Sequence, residues 1–220
     1  MQPAYLNLSD KAEDQPETKS QGICALCEGN EQMTPPELYA IRKPGTEPNS
    51  VGWTVRVVWN KFPALSPRDI MEGVTLDRKQ VGIHESMRSL GSHEVIIASP
   101  GHSELVSSME VERLADVLRA LGARYRHLKN DPSHEYVIAL HNKGREAGES
   151  FNHAHFQIFA FPIVPQEIND ELRGAESYFR YKKRCVYCDI VEYEIRETIR
   201  VIELNEFFVA ICPLRITVPF

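Results

Sequence analysis

Two histidines and a glutamine occupy alternate positions in Asn152-His153-Ala154-His155-Phe156-Gln157-Ile158-Phe159-Ala160-Phe161. The surrounding residues are apolar and β-prone, which predicts a strand. Strand side chains alternate between faces, so His153, His155 and Gln157 are expected on one face, about 6–7 Å apart per two-residue step. Ala154, Phe156 and Ile158 then turn into a core. A solvated face would more usually carry Thr, Lys or Glu. A neutral imidazole is a competent nucleophile at pH 7, and phosphorus is a natural electrophile for it. Gln157, an uncharged donor one step away, could hold a phosphoryl oxygen as charge moves onto it. The preceding loop, from Asn142-Lys143-Gly144 to Gly148-Glu149-Ser150, would offer backbone N–H and hydroxyl donors to phosphates. The plain alternative is two half-exposed histidines beside a coincidental amide.

The cysteines carry a second chemistry. Four of the five form two Cys-x2-Cys pairs, Cys24/Cys27 and Cys185/Cys188, and Cys212 stands alone. In a reducing compartment such pairs are metal ligands or redox dithiols. A redox pair usually sits at a helix N-terminus, whereas Cys24-Ala25-Leu26-Cys27-Glu28-Gly29-Asn30 runs into a Gly-Asn turn and reads as a metal knuckle. Zinc prefers four tetrahedral N/S ligands. His102, after a strand end, and His153 could complete a Cys2His2 set if their strands share a sheet. From spacing alone His102 reads more readily as a loop histidine.

The elements that must position these groups follow from periodicity. Thr34 and Glu37 in Met33-Thr34-Pro35-Pro36-Glu37-Leu38-Tyr39 have the spacing of a capping box and predict a short helix start. Trp53–Trp59 alternates and predicts a strand; 66–91 reads as a long loop with room for one short helix. Strands are expected at His93–Ala98 and Tyr136–Leu140. Between them Val111, Leu114, Val117, Leu118, Leu121, Tyr125 and Leu128 recur at helical spacing behind a capping box of Ser107 and Glu110. That order predicts an α+β fold, an antiparallel sheet with a helix on one face. Residues 166–184 read as a polar, helical linker, and 185–220 as a knuckle followed by strand-like runs at 198–203 and 207–211.

Composition bounds the reading. The chain has 220 residues, 42% hydrophobic and 25% charged, with a formal charge of −6, ordinary for a soluble globular protein. That balance argues against nucleic-acid binding through an overall field, and no apolar run reaches the roughly 20 residues of a membrane span. Residues 1–21 are polar with no apolar signal region and read as a flexible lead-in, which predicts a cytoplasmic protein.

His153-Ala154-His155-Phe156-Gln157 resembles the His-x-His-x-Gln signature of the galactose-1-phosphate uridylyltransferase family, a branch of the histidine-triad superfamily. Other stretches fall in the family's order: Cys24-x2-Cys27-x-Gly29-Asn30-Glu31 with Thr34-Pro35-Pro36-Glu37, Asn60-Lys61-Phe62-Pro63-Ala64-Leu65, Gly91-Ser92-His93-Glu94-Val95-Ile96-Ile97 with Ser99-Pro100-x-His102, and Asn142-Lys143-Gly144. The resemblance covers about residues 22–220. It implies that Cys24, Cys27, His102 and His153 bind one structural zinc, that His155 is the nucleophile, and that Asn60, Asn142, Gly148, Glu149, Ser150 and Gln157 contact the nucleotide and its phosphates. The family's common form has Pro between the histidines and Gly before the Gln. Ala154 and Phe156 resemble instead the branch that includes plant ADP-glucose phosphorylase.

By that resemblance the chain moves a nucleoside monophosphate from a nucleotide-sugar to a sugar 1-phosphate, or to phosphate, through a nucleotidyl-histidine. The alternatives are an adenine-nucleotide phosphorylase or hydrolase and, from another class, a non-catalytic zinc-binding interaction module. Gln157 favours transfer, because histidine-triad hydrolases have a third histidine there and an amide does no general acid–base work. The domain expectation is a histidine-triad-like unit over 22–165 and the start of a second over 185–220, cut short, so that a second zinc site at Cys185 and Cys188 is incomplete. No nucleic-acid or membrane partner is expected; a homodimer is compatible with the resemblance.

Overall fold

A computed structural model of the chain describes residues 23–66, 79–149 and 151–212. The lead-in at 1–21, Ser150 and the last residues of the expected second unit lie outside them.

The central element is a five-stranded antiparallel sheet. It contains β1 (Glu37–Arg42), β2 (Trp53–Trp59), β5 (Ser92–Ile97), β6 (Tyr136–Leu140) and β7 (His155–Phe161), in spatial order β1-β2-β5-β7-β6. β5 and β7 pair as His93↔Phe159, Val95↔Gln157 and Ile97↔His155. His93, Val95 and Ile97 therefore share a face with His155, Gln157 and Phe159. The opposite face carries Val55, Val57, Ile96, Ile158 and Ala160, all buried. The antiparallel sheet, the helix on one face and the core role of Ile158 match the expected α+β fold. Gly91 makes the start of β5 possible. Its φ is +139°, and a Cβ there would lie 2.2 Å from the Ala160 carbonyl oxygen, so only glycine allows this approach to β7.

The helix α1 (Val111–Lys129) covers the apolar face. Val117, Ala120, Arg124 and Leu128 are its buried residues, whereas Val111, Leu118 and Tyr125 are exposed. Buried Arg124 reaches Glu94 on β5 with two bonds of 2.7 and 2.8 Å. The expected capping box does not form. Residues 106–108 make a separate 3-10 turn, and Glu110 is itself the N-cap, with no side-chain bond. Ser107 lies three residues too early to cap, and Glu110 stands where the serine was needed.

The helix start expected at 33–39 is likewise a strand. A 3-10 turn over Glu31–Met33 ends at Thr34, and β1 begins at Glu37. The Thr34 hydroxyl donates to the Glu31 carbonyl (2.9 Å) and accepts from buried Arg56 (2.7 Å). Glu37 pairs with Arg42 and Arg56 rather than closing a box. Partners from β2 outcompete local capping here. In the expected loop 66–91, Lys79–Val81 (β3) and His84–Ser86 (β4) form a hairpin. Each has three exposed residues, too few to leave a period in the sequence.

Beyond β7, α2 (Gln166–Lys182) occupies the expected helical linker. α3 (Val186–Glu197) follows, and β8 (Val201–Leu204) pairs with β9 (Val209–Ile211). α3 has no counterpart in the sequence reading, although Asp189 to Glu197 has no turn signal. No helix of the described residues is long and apolar enough to cross a membrane.

Candidate functional site

The first knuckle is a tight turn. Cys27 N–H donates to the Cys24 carbonyl (3.3 Å), the Asn30 side chain donates to the same oxygen (2.9 Å), and Gly29 takes φ +91°. Glu28 N–H reaches the Pro100 carbonyl (3.1 Å), which moors the knuckle beside the loop that carries His102. The Cys24 and Cys27 sulfurs each lie 3.6 Å from His153 Nδ1, and His102 Nδ1 lies 3.6 Å from the Cys27 sulfur. All four donor atoms fall within 4.8 Å of one another. A tetrahedron with metal–ligand bonds of about 2.0–2.3 Å has edges of about 3.3–3.8 Å. The four residues therefore fit a metal ion.

Two further features suit a cation. His153 is 1% exposed, and its Nε2–H donates to the Ser99 carbonyl (2.8 Å), which leaves Nδ1 unprotonated toward the sulfurs. Burial, with His102 and His155 nearby, pushes its pKa down and keeps the ring neutral. Burial and the adjacent Cys24 thiol push the Cys27 pKa up to about 11. Two thiolates side by side are costly without a positive charge between them.

One expectation needs correction at this point. His153 is not on the strand. β7 begins at His155, and His153 lies in a bend whose N–H donates to the Phe151 carbonyl (2.8 Å). The bend frees its ring to leave the sheet face and turn to the sulfurs. Only His155 and Gln157 of the expected row stand together on the strand.

His155 is 5% exposed, at the edge of a cleft of about 360 Å³. Its Nδ1–H donates to the His153 carbonyl (2.7 Å), which fixes the tautomer and leaves the Nε2 lone pair for chemistry. Phe151 meets the ring edge-on at 6.4 Å. The cleft is lined by Asn60, Gly148, His155 and Gln157, among the expected site residues, and by Leu26, Thr34, Phe62, His93 and Phe151, for which no site role was expected. Leu26 lies between the two knuckle cysteines, so the metal turn and the cleft share a wall. Asn142 and Glu149 serve the loop instead. Asn142 donates to the Ala147 carbonyl (2.6 Å), while Glu149 accepts from Gly144 N–H (2.7 Å) and from Lys143 (3.2 Å). Glu149 lines a second depression with His102, His141 and Lys143. Ser150 lies outside the described residues.

Residues 7–165 match the family model of the galactose-1-phosphate uridyl transferase N-terminal domain. The chain belongs to that family. The ADP-glucose phosphorylase of Arabidopsis thaliana is 32% identical over 197 residues, 90% of this chain and 52% of that protein. The galactose-1-phosphate uridylyltransferase of Saccharomyces cerevisiae is 30% identical over 202 residues, 90% of this chain and 53% of its own length. The crystal structure of an ADP-glucose phosphorylase from Arabidopsis thaliana superposes with a TM-score of 0.70 at 30% identity, covering 88% of this chain and 56% of that one. The chain thus spans about half the length of these relatives. In this uridyl transferase-family domain, the cleft is lined from the central strands β2, β5 and β7 and borders the Cys24–Cys27 turn through Leu26.

Proposed function

We propose that the chain carries the nucleotidyl-transfer site of a galactose-1-phosphate uridylyltransferase-type enzyme. His155 Nε2 attacks the α-phosphorus of a nucleotide-sugar bound in the cleft. The P–N bond forms, the bond to the bridging oxygen breaks, and the sugar 1-phosphate leaves with that electron pair. A second sugar 1-phosphate, or phosphate, then attacks the same phosphorus and frees the histidine. The observation that carries this reading is the tautomer of His155, a buried imidazole whose Nδ1–H is spent on a backbone carbonyl and whose Nε2 is left for the cleft. As the ring turns cationic in the intermediate, the His153 carbonyl stabilises the Nδ1–H. Gln157 supplies an amide donor for the phosphoryl oxygen, and Asn60 and Gly148 border the same space.

Cys24, Cys27, His102 and His153 would hold zinc. With four protein ligands such a site has no open position for water, so the metal acts structurally. What these residues do for catalysis is positional. The His153 ring anchors on Ser99 and the cysteines, and its backbone carbonyl orients His155.

An adenine-specific phosphorylase is the second reading, favoured by the similarity to the Arabidopsis ADP-glucose phosphorylase. Phosphate is then the acceptor and the chemistry at His155 is unchanged. Incubation with α-32P-labelled UDP-glucose or ADP-glucose separates them. Label on the protein from one donor alone names the nucleotide; label from neither contradicts the proposal.

A further inference from the structure

We propose that His93 is a positioning residue that orients the Gln157 carboxamide, so that its NH2 group and not its carbonyl oxygen faces the reacting phosphate. This rests on the nucleotidyl-transfer reading of the cleft. An amide side chain presents either a donor or an acceptor according to one rotation, and a carbonyl oxygen aimed at a phosphoryl oxygen would repel it. Something must choose, and nothing in Gln157 itself does.

His93 lies diagonally across the β5–β7 ladder, paired with Phe159 one step beyond Gln157. Its ring stacks on Phe159 with centroids 4.0 Å apart and is 4% exposed, so it is held on both edges. Ala64 N–H donates to Nδ1 (3.1 Å). A backbone N–H cannot reverse, so Nδ1 is an acceptor and the ring proton belongs to Nε2. The Gln157 Oε1 lies 2.8 Å from Nε2 and accepts that proton's hydrogen bond. The Gln157 oxygen is thereby occupied, and its NH2 is left for the cleft. Asn60 Nδ2 lies 3.0 Å from the same Nε2, but its own oxygen accepts from Phe62 N–H (2.9 Å). Asn60 therefore turns its NH2 toward Nε2–H, a donor beside a donor: the approach is no hydrogen bond, and Asn60 offers no acceptor to compete with Gln157 for the ring proton. The chain of bonds runs from the backbone of the 60–64 turn through His93 to Gln157.

The test has a spectroscopic and a kinetic arm. In 15N-labelled protein, His93 should be the Nε2–H tautomer, and His93→Phe, which keeps the stacking, should accelerate exchange of the Gln157 carboxamide protons. His93→Phe should slow formation of the nucleotidyl-protein about tenfold, the factor one orienting hydrogen bond is worth. In a Gln157→Ala background the same change should cost less than about twofold, because its only route of action is gone. His93→Gln, which can donate to Oε1, should recover most of the rate. An Nδ1–H tautomer, an unchanged Gln157 carboxamide, or additive losses in the double variant would overturn the inference. Absence of label in the wild-type chain would count against the transfer reading instead, and the spectroscopic arm would still decide the role of His93.

Discussion

The chain contains the same Cys-x2-Cys spacing twice, and the two copies end in different chemical situations. Cys24 and Cys27 turn back on themselves beside His102 and His153, half-buried, with four donor atoms converging. Cys185 and Cys188 are exposed at the start of α3, with Cys185 as its N-cap. Among the described residues no third and fourth ligand joins them. Backbone N–H groups of Cys188 and Tyr187 hold the Cys185 thiol below its usual range, while its neighbour pushes that of Cys188 up. Spacing creates half a ligand set; the tertiary approach of two distant non-strand residues, His102 and His153, creates the other half. At this helix start only one thiol of the unpaired copy, Cys185, is shifted toward the thiolate.

The largest effect that separates the copies is metal loss. Cys24→Ser should abolish zinc binding at the proposed site, about one ion per chain, and lower the melting temperature by roughly 10 °C or more. That follows from a structural site worth several kcal/mol at about 2–4 °C per kcal/mol for a chain of this size. Cys188→Ser should change neither metal content nor melting. Equal effects of the two substitutions, by metal analysis and calorimetry, would erase the distinction.

A similar contrast exists between ion pairs. Arg124 and Glu94 are buried under α1, so Arg124→Met leaves a buried carboxylate unpaired and should cost about 3–5 kcal/mol by urea unfolding. Arg184 pairs with Asp189 and Glu192 at the exposed start of α3, at 2.7 and 2.8 Å. Arg184→Met should leave the unfolding midpoint where it was. A large loss there would mean that the second cysteine pair sits in a region as tightly organised as the first.

A smaller effect comes from pH. Burial pushes the His93 pKa below its ordinary 6.5, so the folded state holds the ring neutral while the unfolded chain takes up a proton. The contribution is fully present above about 6.5 and is lost as pH falls below that value toward the folded pKa. Unfolding free energy should therefore fall with acidification below pH 6.5, and His93→Gln should flatten the slope. An unchanged slope would mean that the ring titrates in place. Smallest in its consequence for the fold, alkylation of the zinc-loaded protein should modify Cys185 well before Cys24 or Cys27 without altering the melting temperature. Protection of Cys185 would point to a ligand or partner over the second pair.

Much of this architecture was readable from residue types alone, and the failures have physical causes. The β-branched run at Trp53–Trp59, the apolar run at 136–140 and the helical period after Val111 reflect burial in the core, which leaves a signature in sequence. Convergence of His102 on the knuckle leaves none, because it depends on the Glu28–Pro100 bond and on β5 ending beside β7. Family resemblance, not spacing, named that ligand. His153 looked like a strand residue because a bend at 151–153 preserves the alternate spacing. The role of His93 was hidden for a similar reason: it faces Gln157 only in this register, 64 residues away in sequence. Thr34 and Glu37 misled because the spacing of a capping box persists when Arg56 and Arg42 take both side chains.

The most direct test of the central claim, that His155 is the nucleophile while its neighbour His153 belongs to the metal, is mass spectrometry of the intact chain after incubation with UDP-glucose or ADP-glucose. The wild-type chain should gain one nucleoside monophosphate, mapped to His155. His155→Ala should gain none while it keeps its zinc and its melting temperature. A nucleotidyl group on another residue, or undiminished labelling of His155→Ala, would contradict the account.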